Sequence, residues 1–378
     1  MTDFGKLVPA WVPTLATYKP GKPIRQAELE SGVDCIKMAS NENPFGPSPL
    51  AVEAIKAATS EVNYYPDNGV TELTARLAEL HELDPEQLLV TAGSTGFLDI
   101  LARTLLGPGL NAVTSKLSFI SYPIVTRATG AQLVEVPTLN DGYDLERILE
   151  TVDVHTRVIY IANPNNPTGT LVDAQAVDRF LDRLPSHVIT VLDEAYSDYA
   201  SYFAAQRGVE YSHSIEYVRQ ERAVIVLRTF SKGYGLAGLR VGYGMGPAEL
   251  MGYLTRMRPA FMVSSLGEVA ALAALADADH IRRSLDINAV GVKFLTEAIS
   301  EMGISVTPTW ANFLFCRAGE DAHSLCQKLQ GHGVIVRHMS GGWGAPDAFR
   351  VTIGTPEQNE QFLAALKRVR SRIPAQAR

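Results

Sequence analysis

The chain has 378 residues, of which 46% are hydrophobic and 20% are charged, and its formal net charge is −7. This length and composition are typical of a globular protein with a large core, and the negative charge argues against a nucleic-acid partner. Three cysteines, Cys35, Cys316 and Cys326, lack CxxC spacing and the density of a disulfide framework, which predicts a reducing, cytoplasmic location. No apolar run is long enough to span a membrane, and the scattered histidines lack the spacing of a metal site.

The N-terminal 46 residues contain many prolines and little periodicity, which predicts an extended arm. A helix is predicted from Ser48, with Ser48 as its N-cap and Pro49 in its first turn. The segment Tyr64-Tyr65-Pro66-Asp67 then interrupts the helical pattern, which resumes over residues 71–83.

From residue 88 onward, apolar strands alternate with amphipathic helices. The apolar runs predict strands over residues 88–91, 111–115, 131–136, 157–161, 187–192 and 223–227, with a further apolar stretch after Arg240. Helices are predicted between them over residues 97–106, 144–150 and 173–184. This alternation predicts an α/β fold with a doubly wound, mainly parallel sheet of seven strands.

Polar side chains follow several of these strands, at the edge of the sheet where α/β folds bind ligands. They are Ser94, Asn166, Asp193 and Lys232, and Phe119 follows another strand. Their shared position predicts one binding site more strongly than any single motif does.

Lys232 lies in the stretch RTFSKGYGLAGLRVGYG, residues 228–244, with the hydroxyls of Thr229 and Ser231 beside it and Arg240 downstream. A primary amine in a partly dry pocket can form a Schiff base with a carbonyl. The two hydroxyls and the guanidinium are suitable donors to a phosphate. An aldehyde that carries a phosphate describes pyridoxal 5′-phosphate, although this stretch alone also allows a glycine-rich loop with a solvated lysine.

The other strand ends allow both a ligand-binding and a structural interpretation. The turn at Gly93-Ser94-Thr95 leads into a helix and can bind an anion through free backbone N–H groups. Asp193 follows a buried strand and suits either a protonated pyridine nitrogen or a helix N-cap. Phe119 can stack on a planar ring or pack in the core. Asn166 can donate to a phenolate-type oxygen.

The C-terminal third predicts a smaller α+β domain. Helices are expected over residues 247–257, 265–276, 281–302, 321–331 and 359–370, and short strands over residues 305–307, 312–316, 334–337 and 349–353. Arg337 and Arg350 lie in or beside these strands, where they either form surface salt bridges or bind an acidic substrate. We expect residues 1–46 to form an arm that belongs to the small domain, residues 47–260 a large domain, and residues 261–378 the rest of the small domain.

Taken together, the motifs resemble those of the fold-type I pyridoxal-phosphate-dependent aminotransferases. The resemblance rests on these motifs, in this order: Gly93-Ser94-Thr95, Asn166-Pro167-Thr168-Gly169, Asp193-Glu194-Ala195-Tyr196, Ser231-Lys232 and Arg240. The segments YKPGK, SNENPFGPSP, YYPD and FRVTIGT are similar to those of the histidinol-phosphate aminotransferase branch. Many relatives have acidic residues after this phosphate turn, where this chain has Ser94-Thr95-Gly96, but the backbone donors of the turn remain.

The resemblance implies a role for each matching residue. Lys232, Asp193 and Tyr196 would be catalytic, with Lys232 binding the cofactor covalently and moving a proton. The residues implied in cofactor binding are Ser94, Thr95, Phe119, Asn166, Asp193, Tyr196, Thr229, Ser231, Lys232, Arg240 and, from a second subunit, Tyr65. The residues implied in substrate binding are Tyr18, Asn41, Arg337 and Arg350, with Tyr18 and Arg337 at a substrate phosphate.

The implied reaction converts L-histidinol phosphate and 2-oxoglutarate into imidazole acetol phosphate and L-glutamate, a step of histidine biosynthesis, in a cytoplasmic homodimer. Two alternatives stay open at this point. One is a transaminase of phenylalanine or tyrosine, because a flat ring and an anion are common to both kinds of substrate. The other is a decarboxylase that resembles those of threonine phosphate.

Overall fold

The computed structural model describes residues 2–15, 17 and 21–371. The strands are β1 (Ile36–Lys37), β2 (Leu88–Thr91), β3 (Asn111–Ser115), β4 (Gln132–Val136), β5 (Thr156–Ala162), β6 (Ile189–Asp193), β7 (Val224–Thr229), β8 (Gly242–Met245), β9 (Ser305–Thr307), β10 (Phe313–Arg317), β11 (Val334–Ile335), β12 (Arg337–His338) and β13 (Ala348–Thr352). The helices are α1 (Ile24–Ser31), α2 (Pro49–Ala58), α3 (Thr71–His81), α4 (Gly93–Leu105), α5 (Ser121–Ala128), α6 (Leu145–Thr151), α7 (Ala174–Leu181), α8 (Ser197–Arg207), α9 (Ser214–Arg219), α10 (Ala248–Met257), α11 (Ser265–Leu275), α12 (Ala278–Glu301), α13 (Ala322–Gln330) and α14 (Pro356–Ser371).

The predicted seven-stranded, mainly parallel sheet is present. Its strand order is β2-β8-β7-β6-β5-β3-β4, and only β8 runs antiparallel to its neighbours. Strands β5 to β7 are buried along most of their length, which explains their continuous apolar sequences. The parallel arrangement brings the carboxyl ends of β3, β5, β6 and β7 to one edge of the sheet.

The prediction that residues 1–46 form only an extended arm is wrong. Residues Ile24–Ser31 form helix α1, and β1 pairs in parallel with β11 of the C-terminal third. Ala27 on α1 is buried in a small cluster with Cys35, Ala39 and Ile335. This part of the N-terminal segment is therefore packed against the C-terminal third of the chain.

The C-terminal third contains an antiparallel sheet with the order β12-β13-β10-β9. Its core combines Met38 and Phe203 with residues between Val292 and Val369. The core of the large sheet extends beyond residue 260, because Ala270, Ala271 and Ala274 of α11 belong to it. The division of the chain at residues 46 and 260 stays a prediction.

Four helices were not predicted from the sequence, namely α1, α5, α8 and α9, and α4 begins four residues before its predicted start. The earlier start places Ser94 and Thr95 in the first helical turn, where backbone N–H groups have no partner within the helix. The start of α2 was predicted correctly, because the Ser48 side chain accepts a hydrogen bond from the Ala51 N–H. Among the described helices, none has the length and apolar character that a membrane span requires.

Candidate active site

A cavity of about 180 Å³ opens at the carboxyl ends of the strands. Ten of the eleven residues predicted to bind the cofactor line it: Ser94, Thr95, Phe119, Asn166, Asp193, Tyr196, Thr229, Ser231, Lys232 and Arg240. They lie at the carboxyl ends of β6 and β7, in the first turn of α4, and in the segments that follow β3, β5, β6 and β7. The sequence interpretation of these strand ends therefore identified residues that lie together in space.

One end of this cavity has the donors that an anion requires. Arg240, at φ 55°, directs its Nη1 to the Ser231 Oγ at 3.3 Å and to the Ala237 carbonyl at 3.1 Å. Gly93 has φ 73°, and a Cβ atom there would lie only 2.5 Å from Arg240 Nη2. A side chain at position 93 would thus displace the guanidinium from the N-terminus of α4. Glycine lets a cation and a helix N-terminus converge on one point, which suits a phosphate.

Asp193, the last residue of β6, supplies a buried carboxylate to the cavity and is only 3% exposed. Its Oδ2 accepts a hydrogen bond from the Tyr122 hydroxyl at 3.0 Å, and its Oδ1 accepts one from the Ala195 N–H at 3.2 Å. These two donors are neutral, and burial raises the pKa of the Asp193 carboxyl to about 6. A cationic ligand group at this carboxylate would lower that pKa and offset the cost of burying the charge.

Tyr122 is a site residue that the sequence interpretation missed. It lies in the first turn of α5, is fully buried, and stacks on the Tyr160 ring with centroids 4.7 Å apart and planes 6° apart. The one sequence feature that could have indicated its role is its position three residues after Phe119. Otherwise a buried tyrosine in a helix resembles a core residue. Tyr122 holds the Asp193 carboxylate in place.

Lys232 lies in the loop after β7, and its Nζ donates to the Ser40 carbonyl at 3.1 Å. Its amine lies 5.7 Å from the centroid of the Tyr196 ring. Burial, together with the positive charge of Arg350, lowers the pKa of the Lys232 amine to about 7. A large fraction of the amine is therefore neutral near pH 7, which is the form that acts as nucleophile or base.

A second cavity of about 170 Å³ adjoins the first and shares Phe119, Asn166, Tyr196 and Lys232 with it. Three of the four residues predicted to bind substrate line this second cavity: Asn41, Arg337 and Arg350. The fourth, Tyr18, lies outside the described residues.

Arg350 lines the second cavity and contacts Asn166, which lines both cavities. It is 7% exposed, and its guanidinium donates to the Asn166 Oδ1 and to the Ala39 carbonyl. Arg350 is therefore a buried residue and not a surface one. Asn41, at φ 56°, donates from its Nδ2 to the Tyr196 hydroxyl at 2.8 Å, which links the N-terminal segment to the first cavity.

Tyr65 is the one predicted cofactor residue that lines neither cavity of the described chain. Its side chain is 83% exposed and stacks on the Phe261 ring at 4.7 Å. Within the described chain, Tyr65 therefore does not form part of this site.

The residues present fit the cofactor predicted from the sequence. The anion site at Arg240 and the carboxylate of Asp193 lie in one cavity, with Phe119 as an aromatic wall and Lys232 as the amine. A planar ring that carries a phosphate, a basic nitrogen and an aldehyde matches all four. Among the described residues, no group of histidine, cysteine, aspartate or glutamate side chains has the geometry of a metal site.

Comparison with known proteins gives consistent results. The family model for aminotransferase class I and II matches residues 33–366. A protein named histidinol-phosphate aminotransferase 2, from Pseudomonas aeruginosa, is 43% identical over 98% of this chain and 99% of its own length. A histidinol-phosphate aminotransferase from Akkermansia muciniphila is 41% identical over 94% of this chain and 96% of its own. Among solved structures, histidinol-phosphate aminotransferase from Sinorhizobium meliloti in complex with pyridoxal-5′-phosphate has a TM-score of 0.86 at 28% identity, covering 96% of this chain and 97% of that one.

Proposed function

Because this chain belongs to the class I and II aminotransferase family, we propose that it transfers the amino group of L-histidinol phosphate to 2-oxoglutarate. The predicted family and enzyme class are confirmed, and the cofactor is pyridoxal 5′-phosphate. The observation that carries the choice of substrate is the second cavity, which Arg337, Arg350 and Lys232 all line. Two guanidinium groups and an amine in one cavity suit amino or oxo substrates that carry a phosphate or two carboxylates.

The chain's own residues would hold the cofactor at both ends. The first turn of α4 with Thr229, Ser231 and Arg240 would bind its phosphate, and Asp193 would bind its protonated ring nitrogen. Asn166 and Tyr196 would donate to the ring oxygen, and Phe119 would cover one face. When bound, pyridoxal phosphate supplies an aldehyde that accepts the amino group and a ring that stabilises negative charge on the substrate α-carbon.

Lys232 would perform the proton transfer. Its lowered pKa keeps the Nζ neutral enough near pH 7 to remove the proton from the substrate α-carbon and to return it after the charge is redistributed. Arg337 would bind the phosphate of histidinol phosphate, and Arg350 a carboxylate of the 2-oxo acid. Asn41, through its hydrogen bond to the Tyr196 hydroxyl, would hold the N-terminal segment over the substrate.

Glutamate formation from histidinol phosphate and 2-oxoglutarate tests the function, and Arg337→Ala tests the substrate. We expect this substitution to lower kcat/KM for histidinol phosphate about 100-fold, because it removes a charge-assisted contact to phosphate. With phenylalanine, which has no phosphate, the loss should stay within a few fold.

The matched control is Arg317→Ala, since Arg317 lies in the same sheet, pairs with Asp141 and Asp347, and lines neither cavity. It should leave both activities nearly unchanged. Equal losses of kcat/KM for histidinol phosphate and phenylalanine in Arg337→Ala would refute the proposal that Arg337 binds the substrate phosphate. Release of carbon dioxide without glutamate would refute transamination itself.

The active enzyme is proposed to be a homodimer in which Tyr65 of each subunit contacts the cofactor phosphate of the other. The exposed pair of Tyr65 and Phe261 is an apolar surface of the kind that subunit interfaces cover. We expect Tyr65→Phe to weaken cofactor binding about tenfold, since only the hydroxyl that would reach the phosphate is lost.

Tyr64→Phe is the control, because this neighbouring tyrosine is also exposed, at 71%. Cofactor affinity is measured by equilibrium dialysis and the mass of the holoenzyme by sedimentation. A monomeric holoenzyme, or the same change in affinity in both variants, would contradict the shared site.

A cytoplasmic location is part of the proposal. The three cysteines are buried and form no disulfide with one another, which supports a reducing compartment. Recovery of the protein in an exported fraction after cell fractionation would contradict it.

A further inference from the structure

Trp343 connects two elements of the site that are far apart in the sequence. It lies in the short helical turn Gly341–Trp343 between β12 and β13, and its indole Nε1 donates to the Ser118 carbonyl at 3.1 Å. Ser118 immediately precedes Phe119. The neighbouring Gly342 lies close to the segment 118–120, since a Cβ atom at position 342 would be 2.8 Å from Ile120 Cδ1. The loop between β12 and β13 therefore packs directly on the turn that carries the aromatic wall of the first cavity.

The face of the same indole contacts Arg337. The guanidinium carbon of Arg337 lies 5.4 Å from the centroid of the Trp343 ring, within the range of a cation–π interaction. Both side chains line the second cavity. The ring packs against a buried cluster formed by Leu117, Phe315, Met339, Ala345 and Ala348. Trp343 is thus held by its indole N–H and by this cluster, and it presents a fixed aromatic surface to a long, flexible cation.

We propose that Trp343 is a specificity-determining residue that makes the second cavity selective for substrates ending in a phosphate. It positions the Arg337 guanidinium before the substrate arrives, so that less side-chain freedom is lost when the anion binds. The choice of substrate in this inference rests on the proposed function, but the contact between Trp343 and Arg337 does not. Trp343 is a positioning residue, since it acts through Arg337.

Two substitutions at Trp343 distinguish an effect of its aromatic face on Arg337 from an effect of side-chain volume alone. Trp343→Leu keeps an apolar side chain but removes the ring and its N–H. Trp343→Phe removes the N–H but keeps an aromatic face for Arg337. In the holoenzyme, whose cofactor fills the first anion site, we expect inorganic phosphate to bind about tenfold more weakly to the leucine variant. The phenylalanine variant should stay within about threefold of the original chain.

The kinetic readout is the ratio of kcat/KM for histidinol phosphate to that for phenylalanine. It should fall about tenfold in Trp343→Leu through KM, with kcat little changed, which a general loss of packing would not produce. Trp310→Leu is the matched control, because Trp310 forms the same kind of pair with Arg207 at 4.4 Å and lines neither cavity. If the leucine variant melts at a much lower temperature, Trp343→Met, with a longer side chain, replaces it.

Each outcome decides the proposal. Unchanged phosphate affinity in Trp343→Leu, equal weakening in the leucine and phenylalanine variants, or no phosphate binding to the original holoenzyme would each overturn it. If the original holoenzyme binds phosphate in a Trp343-dependent way but does not act on histidinol phosphate, the proposed function fails and this inference stands.

Discussion

Lys232→Ala is expected to abolish transamination, with kcat reduced by about 10⁴-fold or more. The alanine variant would lose both the amine proposed to bind the cofactor and the group proposed to move the substrate proton. Among the described residues, Lys232 is the one lysine that lines the first cavity. Noncovalent contacts from Asp193, Arg240 and the first turn of α4 should still retain the cofactor.

Single-turnover absorbance with histidinol phosphate measures this loss, and the absorbance of the dialysed protein measures cofactor retention. Lys116→Ala is the matched control, because Lys116 directly follows strand β3 of the same sheet but is exposed and lines neither cavity. It should be fully active. Activity of Lys232→Ala within tenfold of the original enzyme would refute the role of this lysine.

The second large effect is expected for Asp193→Asn, with kcat lowered about 10³-fold. Asparagine keeps the shape of the side chain and can still accept a hydrogen bond from Tyr122, but it carries no charge. The cofactor ring nitrogen would then lose the buried carboxylate that keeps it protonated. A ring without that proton stabilises negative charge at the α-carbon poorly.

Asp198→Asn is the control for this prediction. Burial raises the pKa of the Asp198 carboxyl to about 6, as it does for Asp193, but Asp198 lines neither cavity. We expect Asp198→Asn to retain activity within about tenfold, since it removes a buried charge without removing a contact to the cofactor. Equal losses of kcat in the two variants would show that removal of a negative charge, and not loss of a contact to the cofactor, explains the effect.

Thermal unfolding of the cofactor-free protein separates catalysis from folding. The pKa of the Asp193 carboxyl is about 6 in the folded protein and 3.8 for an unperturbed aspartate. Between about pH 4 and pH 6 the folded chain therefore holds more protons than the unfolded chain, and the free energy of unfolding falls as pH rises through this range. Above pH 6 the charged carboxylate costs stability. The cofactor-free Asp193→Asn protein should therefore unfold at the same or a higher temperature than the original protein at pH 8.

The strands of the large sheet could be predicted because burial on both faces requires uninterrupted apolar sequence. Residues 88–91 and 111–115 were predicted with their observed bounds. The strand-end positions of Asn166, Asp193 and Lys232 followed from the alternation of strands and helices. The helix-cap interpretation of Asp193 is wrong, because α8 begins after Tyr196 and Asp193 is the last residue of β6.

Two of the unpredicted helices, α8 and α1, have weak local signals in the sequence. Helix α8 buries serine, alanine, tyrosine and phenylalanine side chains, and its apolar and polar residues are not separated on two faces. Helix α1 follows a proline-rich segment and buries only Ala27. Tertiary contacts decide both helices, and local sequence does not report such contacts.

The same limit applies to the site. Tyr122 and Trp343 act through partners that are distant in the sequence, since Tyr122 donates to Asp193 and Trp343 donates to Ser118. The residue types of both are common in protein cores, so neither stands out from the sequence. Family motifs identified the residues that would touch the cofactor, but not those that hold them in place.

The most direct test of the account is to locate the bond between cofactor and chain. The purified protein is incubated with pyridoxal 5′-phosphate, reduced with borohydride, digested, and its peptides are analysed by mass spectrometry. We expect one cofactor per chain, attached at Lys232. Absence of label, or label at another lysine with Lys232 unmodified, would contradict the central claim that the strand ends of the large sheet build the cofactor site around Lys232.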